Sequence, residues 1–199
     1  MRYQGAPKRL YDFMTHFDVH CPKCNEKAVV RVPSFLDFKN AKLTCKACHF
    51  SENIAQRKRF IITGKAKCTQ CLEWLNLEKE PMMKIPKYLN VKCTACNKIN
   101  IVSENWTEIM LKYNDVGILD PAFGLPLWYV DSVKGKELWA YNLEHLQEIK
   151  AYVGAKLRER STQSFKMTMV EKLPDFIKDA KNRSEVVKCL ERMESKTNS

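Results

Sequence analysis

Long apolar runs are missing from this 199-residue chain. The stretch 122–130 is interrupted by Gly124 and Pro126 and falls well short of the roughly 20 apolar residues a membrane span needs. The opening, MRYQGAPKRLYDFMTHFD, has no apolar core and no small-residue cleavage site, so no secretory signal and a cytoplasmic location are expected. Glycine is scarce, at six, and no G-x-x-x-x-G-K-[ST] string occurs, which excludes the phosphate loop of that class of NTPases. Histidine is scarcer, at four, with no H-E-x-x-H and no Ser-His-Asp order. Neither catalysis nor a small-molecule substrate is expected.

Cysteine, by contrast, is abundant. The chain has nine, and eight form four C-x-x-C pairs: Cys21/Cys24, Cys45/Cys48, Cys68/Cys71 and Cys93/Cys96. In a reducing compartment such pairs hold metal more often than disulfides. Twenty residues separate Cys24 from Cys45, and 21 separate Cys71 from Cys93. The flanks repeat as well. LTCKAC at 43–48 matches VKCTAC at 91–96, and a Ser-Glu-Asn follows each, at 51–53 and 103–105. One module used twice is the expected organisation.

The spacing has a chemical reason. One C-x-x-C turn places two sulfurs on one side of a tetrahedral ion, and a second pair must close the site. The intervening residues then form a hairpin, with strands expected at 28–32 and 41–44. Two Zn2+ ions, each held by four thiolates, are the expected cofactors. Iron as in rubredoxins, and a cross-braced pairing of first with third and second with fourth pairs, are the alternatives. A closed four-thiolate site leaves no open position for a reacting water, so the metal is expected to be structural. CKACH at 45–49 matches the haem-attachment pattern, but haem there would strand Cys21 and Cys24. His20 and His49 adjoin ligand cysteines and read as flanking residues.

Charge is unevenly spread. Residues 1–105 hold 19 Lys and Arg against 9 Asp and Glu, whereas residues 106–199 hold 15 against 14. Two Zn(Cys)4 centres, each about −2, lower the first figure's excess from +10 to about +6. Arg57, Lys58, Arg59 and Phe60, with Lys65 and Lys67, flank the second module and are the candidate nucleic-acid contacts. Phe35, Phe38, Phe60 or Trp74 could stack on bases. Lysine outnumbers arginine 14 to 5 in this half, which favours backbone-directed over base-reading contact.

From Trp106 the character changes. Strands are expected at 125–130 and 137–141 around a turn at 131–136. Asn142 sits in N-cap position before a helix carrying Leu143, Leu146, Ile149, Val153 and Leu157 on one face and ending near residue 161. Trp128, Trp139 and Tyr141 are expected to pack against it. Phe165, Met169 and Leu173 share a helical face that Pro174 interrupts, and a last helix runs over 184–194. Cys189 reads as a small core residue, and His145, one position off the apolar stripe, as a boundary residue rather than a ligand or base.

The knuckles CPKC, CKAC, CTQC and CTAC resemble the zinc ribbons of general transcription factors and of replication-restart helicases. The wider layout, tandem ribbons followed by LWAYNLEHL and a helical tail, is similar to bacterial tandem zinc-ribbon proteins. The ribbon resemblance covers residues 16–105 and implies fold and metal, with nucleic-acid contact as a frequent use. The expected chain is therefore α+β. A first ribbon with its N-terminal arm occupies 1–60, a second ribbon 61–105, and a β-hairpin with about three helices 106–199. The leading expectation is a non-catalytic accessory factor that engages DNA or RNA. The alternative is a protein adaptor whose C-terminal domain docks a partner. Basic residues converging on one face beside exposed aromatics would favour the first, and scattered charge with an exposed apolar patch the second.

Overall fold

The computed structural model describes residue 3 and residues 8–34, 36–102, 106–155 and 168–196. Among these residues, twelve strands and three α-helices follow in chain order: β1 (His16–His20), β2 (Lys27–Arg31), β3 (Lys42–Cys45), β4 (Ser51–Asn53), β5 (Lys58–Ile62), β6 (Lys65–Lys67), β7 (Trp74–Asn76), β8 (Leu89–Lys92), β9 (Ile99–Val102), β10 (Trp106–Met110), β11 (Tyr129–Val133), β12 (Lys136–Ala140), α1 (Leu143–Gly154), α2 (Asp175–Lys178) and α3 (Arg183–Ser195). The expected mixture of strand and helix is present. Among the described residues no helix is long and apolar enough to cross a membrane. Phe35, Phe165, residues 103–105 and the expected helix end near 161 lie outside the described residues.

The chain divides into two units, Met1–Ile54 with Lys112–Ser199, and Ala55–Leu111. A linear division at 60 and 105 would separate the first ribbon from the C-terminal half, whereas the contacts place them together. Main-chain hydrogen bonds supply the reason. The segment 126–128 runs along the open edge of β1, with His20 N–H on the Pro126 carbonyl and Trp128 N–H on the Asp18 carbonyl. Asp18 N–H in turn reaches the Tyr141 carbonyl. An open strand edge takes whatever extended segment satisfies it, at any distance along the chain.

In the first unit, β1 to β4 form one antiparallel sheet in sequence order. Alternation sets its inner face: Phe17, Val19, Ala28, Val30 and Leu43 are buried. β11 and β12 form a hairpin in which Val133 pairs with Lys136. The turn is therefore two residues, Lys134 and Gly135, both at positive φ (52° and 78°), rather than the six residues expected. The hairpin packs with α1 and α3 around Tyr129, Leu138, Leu146, Ile149, Cys189 and Leu190. Cys189 is fully buried there, as expected of a core residue.

Asn142 caps α1 by accepting the His145 N–H on its Oδ1 at 2.9 Å. Its amide nitrogen donates to the Phe13 and His16 carbonyls at 2.8 and 2.9 Å, tying the N-terminal segment to the helix start. Met169 and Leu173 bracket a short 3-10 turn, Val170–Lys172, in place of the longer helix expected there. At Gly124 (φ +68°) a Cβ would lie 2.5 Å from the Asn114 carbonyl oxygen, so the loop before β11 requires glycine.

In the second unit, β5 pairs with β10, β6 with β7, and β8 with β9, all antiparallel. Ile62, Leu75, Leu77 and Val91 form its core with Cys68 and Cys93. The hairpins β6–β7 and β8–β9 turn alternate residues into this core and the others away from it.

Candidate metal centres and surfaces

Each C-x-x-C pair follows a strand and folds back in the same way. The N–H of the first cysteine is taken by a carbonyl five residues on: Cys21 by Glu26, Cys45 by Phe50, Cys68 by Glu73 and Cys93 by Lys98. The residue after the second cysteine is left-handed each time: Asn25 (φ 63°), His49 (57°), Leu72 (63°) and Asn97 (61°). This bend turns two neighbouring sulfurs toward one point.

The second pair then closes each site. Cys21, Cys24, Cys45 and Cys48 gather with all four sulfurs within 4.8 Å of one another, and so do Cys68, Cys71, Cys93 and Cys96. Partners come from within each module and not from a cross-braced arrangement. The Sγ–Sγ distances Cys21–Cys48, Cys24–Cys45, Cys68–Cys96 and Cys71–Cys93 are each 3.6 Å. A tetrahedral ion with metal–sulfur bonds of about 2.3 Å requires sulfurs about 3.75 Å apart. The two sets therefore fit a tetrahedral divalent ion each, with zinc the natural candidate.

The surroundings favour thiolate at one cysteine of each cluster, Cys21 and Cys68, and oppose it at Cys24, Cys48 and Cys71. The Cys71 and Gln70 N–H groups and the Asn100 amide bring Cys68 down to about 6. At Cys21 burial opposes ionisation, but the Cys24 and Lys23 N–H groups outweigh it and bring the thiol to about 7. The Glu73 N–H favours the Cys71 thiolate, yet the facing Cys96 sulfur, burial and the other two sulfurs push it up to about 12. Four sulfurs this close cannot all ionise against one another unless a cation neutralises them.

Asn100 is a site residue that the sequence reading missed. It is 4% exposed, donates to Cys68 Sγ at 3.6 Å, and accepts from the Thr69 N–H and hydroxyl at 2.9 and 3.0 Å. Its place in the alternation of β9, facing inward between Ile99 and Ile101, was the available signal.

No protein-family model, curated protein or solved structure matches this chain.

The basic residues sort into two groups. Arg57, Lys58 and Arg59 serve the second unit's own fold. Arg57 Nε donates to the Leu111 carbonyl at 2.6 Å, and Lys58 pairs with Glu108 at 2.5 Å. Arg59 Nη1 donates to the Gln56 and Lys58 carbonyls at 3.1 and 2.7 Å. Phe60 is half-buried, with its backbone bridged to Met82. Phe38 is half-buried against Phe17. Lys65 and Lys67, by contrast, are exposed on the outward face of β6, beside Trp74 and Asn76 on β7. Lys67 Nζ stands 5.3 Å from the centre of the Trp74 ring, and Trp74 is 59% exposed. The outward face of β8–β9 is different: Ile99 and Ile101 are 59% and 70% exposed, beside Lys92 and Asn90.

His20 and His49 stay outside both sulfur clusters. His20 lies tilted against the Trp128 ring at 4.7 Å and donates from Nδ1 to the Asn25 carbonyl at 3.1 Å. His145 corrects the expectation of a boundary residue. It is 2% exposed, because Phe13 lies on its ring at 4.9 Å and the Tyr141 N–H donates to its Nδ1.

Proposed function

We propose that this chain is a non-catalytic, two-zinc protein that engages nucleic acid through the outward face of β6–β7. The observation carrying this reading is the placement of Lys65, Lys67 and Trp74 on one exposed hairpin face, with the Lys67 ammonium over the indole. A base stacks on an exposed aromatic regardless of its identity, and flanking ammonium groups neutralise the phosphates on either side. Residues 55–111 hold 10 Lys and Arg against 5 Asp and Glu, so a positive excess survives one Zn(Cys)4 centre of about −2. Each zinc serves to fold a module too small to bury a sufficient core of its own.

The test is binding of the zinc-loaded chain to labelled single- and double-stranded DNA and RNA at low and near-physiological salt. The expected result is salt-steep binding, strongest for single strands, weakened by Trp74→Ala and by the double change Lys65→Ala and Lys67→Ala. Changing Lys58 and Arg59 to Ala in a chain that remains folded should matter less. Absence of binding, or binding indifferent to Trp74, would move the reading to a protein adaptor. The exposed Ile99 and Ile101 on β8–β9 are the observation that supports that second reading.

A further inference from the structure

The first unit holds a cavity of about 240 Å³ between the start of α1, β12 and the segment around α2. Its wall is mostly apolar, built from Leu138, Trp139, Ile149, Leu173 and Ile177 with the ring of His145. A water occupies about 30 Å³ of liquid, so the space suits a small organic molecule.

Among the described residues, the buried polar group in that wall is His145, and it is fixed in orientation. Phe13 stacks on the His145 ring with an interplanar angle of 18°, and Trp139 meets it edge-on at 5.8 Å. Nδ1 accepts the Tyr141 N–H at 3.2 Å, so in the neutral imidazole the proton is on Nε2. Burial keeps the ring neutral, holding its pKa down at about 4. Nε2–H has no hydrogen-bond partner among the described residues, and the ring lines the cavity. An unpaired donor at an apolar cavity is a directional feature that an acceptor atom would satisfy.

The charges at the cavity select among acceptors. Among the described residues, the charged ones that line it are Lys172 and Glu137, both exposed and of opposite sign. A carboxylate entering would lose its hydration and gain only one uncharged donor, whereas a carbonyl loses far less. We propose that this cavity binds an uncharged, largely apolar small molecule through one carbonyl oxygen, which accepts the His145 Nε2–H. This site is independent of the two sulfur clusters.

Acetophenone, ethylbenzene and phenylacetate serve as probes of the zinc-loaded full chain, followed by the His145 ring nitrogen and isoleucine methyl resonances. Saturable acetophenone binding that moves the Nε2 resonance, about fivefold tighter than ethylbenzene, is the expected result. His145→Phe should erase that preference while ethylbenzene still binds, and Leu173→Trp should fill the cavity and remove both. No saturable binding, equal affinity for ketone and hydrocarbon, or tighter binding of phenylacetate would overturn the proposal. The three-probe comparison on the unaltered chain decides this even if a variant fails to fold.

Discussion

Asn100 and Cys68 are joined across the second four-cysteine module by an amide-to-sulfur hydrogen bond of 3.6 Å. The same amide nitrogen also donates to the Lys98 carbonyl at 3.1 Å, and its oxygen takes both donors of Thr69. One buried side chain thus fixes the knuckle that carries Cys68 and offers its sulfur a donor that favours thiolate. In the first four-cysteine module Cys21 takes a main-chain donor, the Lys23 N–H at 3.4 Å. Asn100→Ala should therefore weaken metal binding at the second centre about tenfold or more and leave the first unchanged. Two-step zinc release to a chromophoric chelator would resolve the two centres. Equal weakening of both would contradict this assignment.

Leu72 occupies the left-handed position that Asn25 and Asn97 fill in two other knuckles. A leucine there costs roughly 1 kcal/mol of backbone strain, and asparagine tolerates the conformation better. Leu72 is 67% exposed, so replacing it forfeits little burial. Leu72→Asn should raise the stability of the zinc-loaded second unit by roughly 0.5–1 kcal/mol, read as a shifted denaturant midpoint at unchanged slope. A lower midpoint would show that the exposed leucine is held by contacts worth more than the strain.

The closure of each sulfur cluster within its own module makes the centres separable. Cys21→Ser should remove one metal and disorder the β1–β4 sheet. Cys68→Ser should remove the other and disorder β6–β9. Cobalt(II) titration counts the centres through their thiolate-to-metal absorption. Each variant should show half the absorption of the parent. Loss of both centres from one substitution would contradict the geometry.

Much of this was legible in the sequence because it is local. The C-x-x-C spacing carries the knuckles, Asn142 carries its cap, and the stripe Leu146, Ile149 and Val153 carries the buried side of α1. What escaped depends on distant partners. Nothing near Pro126 announces that 126–128 will join the edge of β1, because an unsatisfied edge leaves no periodic trace. Arg57 and Lys58 stand in a basic run that the sequence offers to a ligand, yet their partners Leu111 and Glu108 lie just beyond the returning strand and on it. The turn at Lys134 and Gly135 is shorter than composition suggests: Asp131 and Ser132 are ordinary turn residues. Their strand pairing with Leu138 and Glu137 overrides that preference.

His145 illustrates the same limit and gives the pH prediction. Helical periodicity places it beside the stripe, but Phe13 and Tyr141 close over it from outside the helix. Burial lowers its pKa from 6.5 to about 4. The unfolded chain therefore takes up this proton at higher pH than the folded one. The contribution is fully present above about pH 6.5, falls as the pH drops toward 4, and changes no further below that. Each unit is worth about 1.4 kcal/mol, so roughly 3 kcal/mol is lost across the window. Acid also releases metal from thiolates, which adds to the loss in any variant. The comparison that isolates His145 is the change in denaturant midpoint between pH 7 and pH 5 for the parent and for His145→Phe. The variant should lose about 2 kcal/mol less over that interval. Equal losses would mean that the ring gains its proton as readily in the folded chain as in the unfolded one, and that the packing of Phe13 and Trp139 does not hold it neutral.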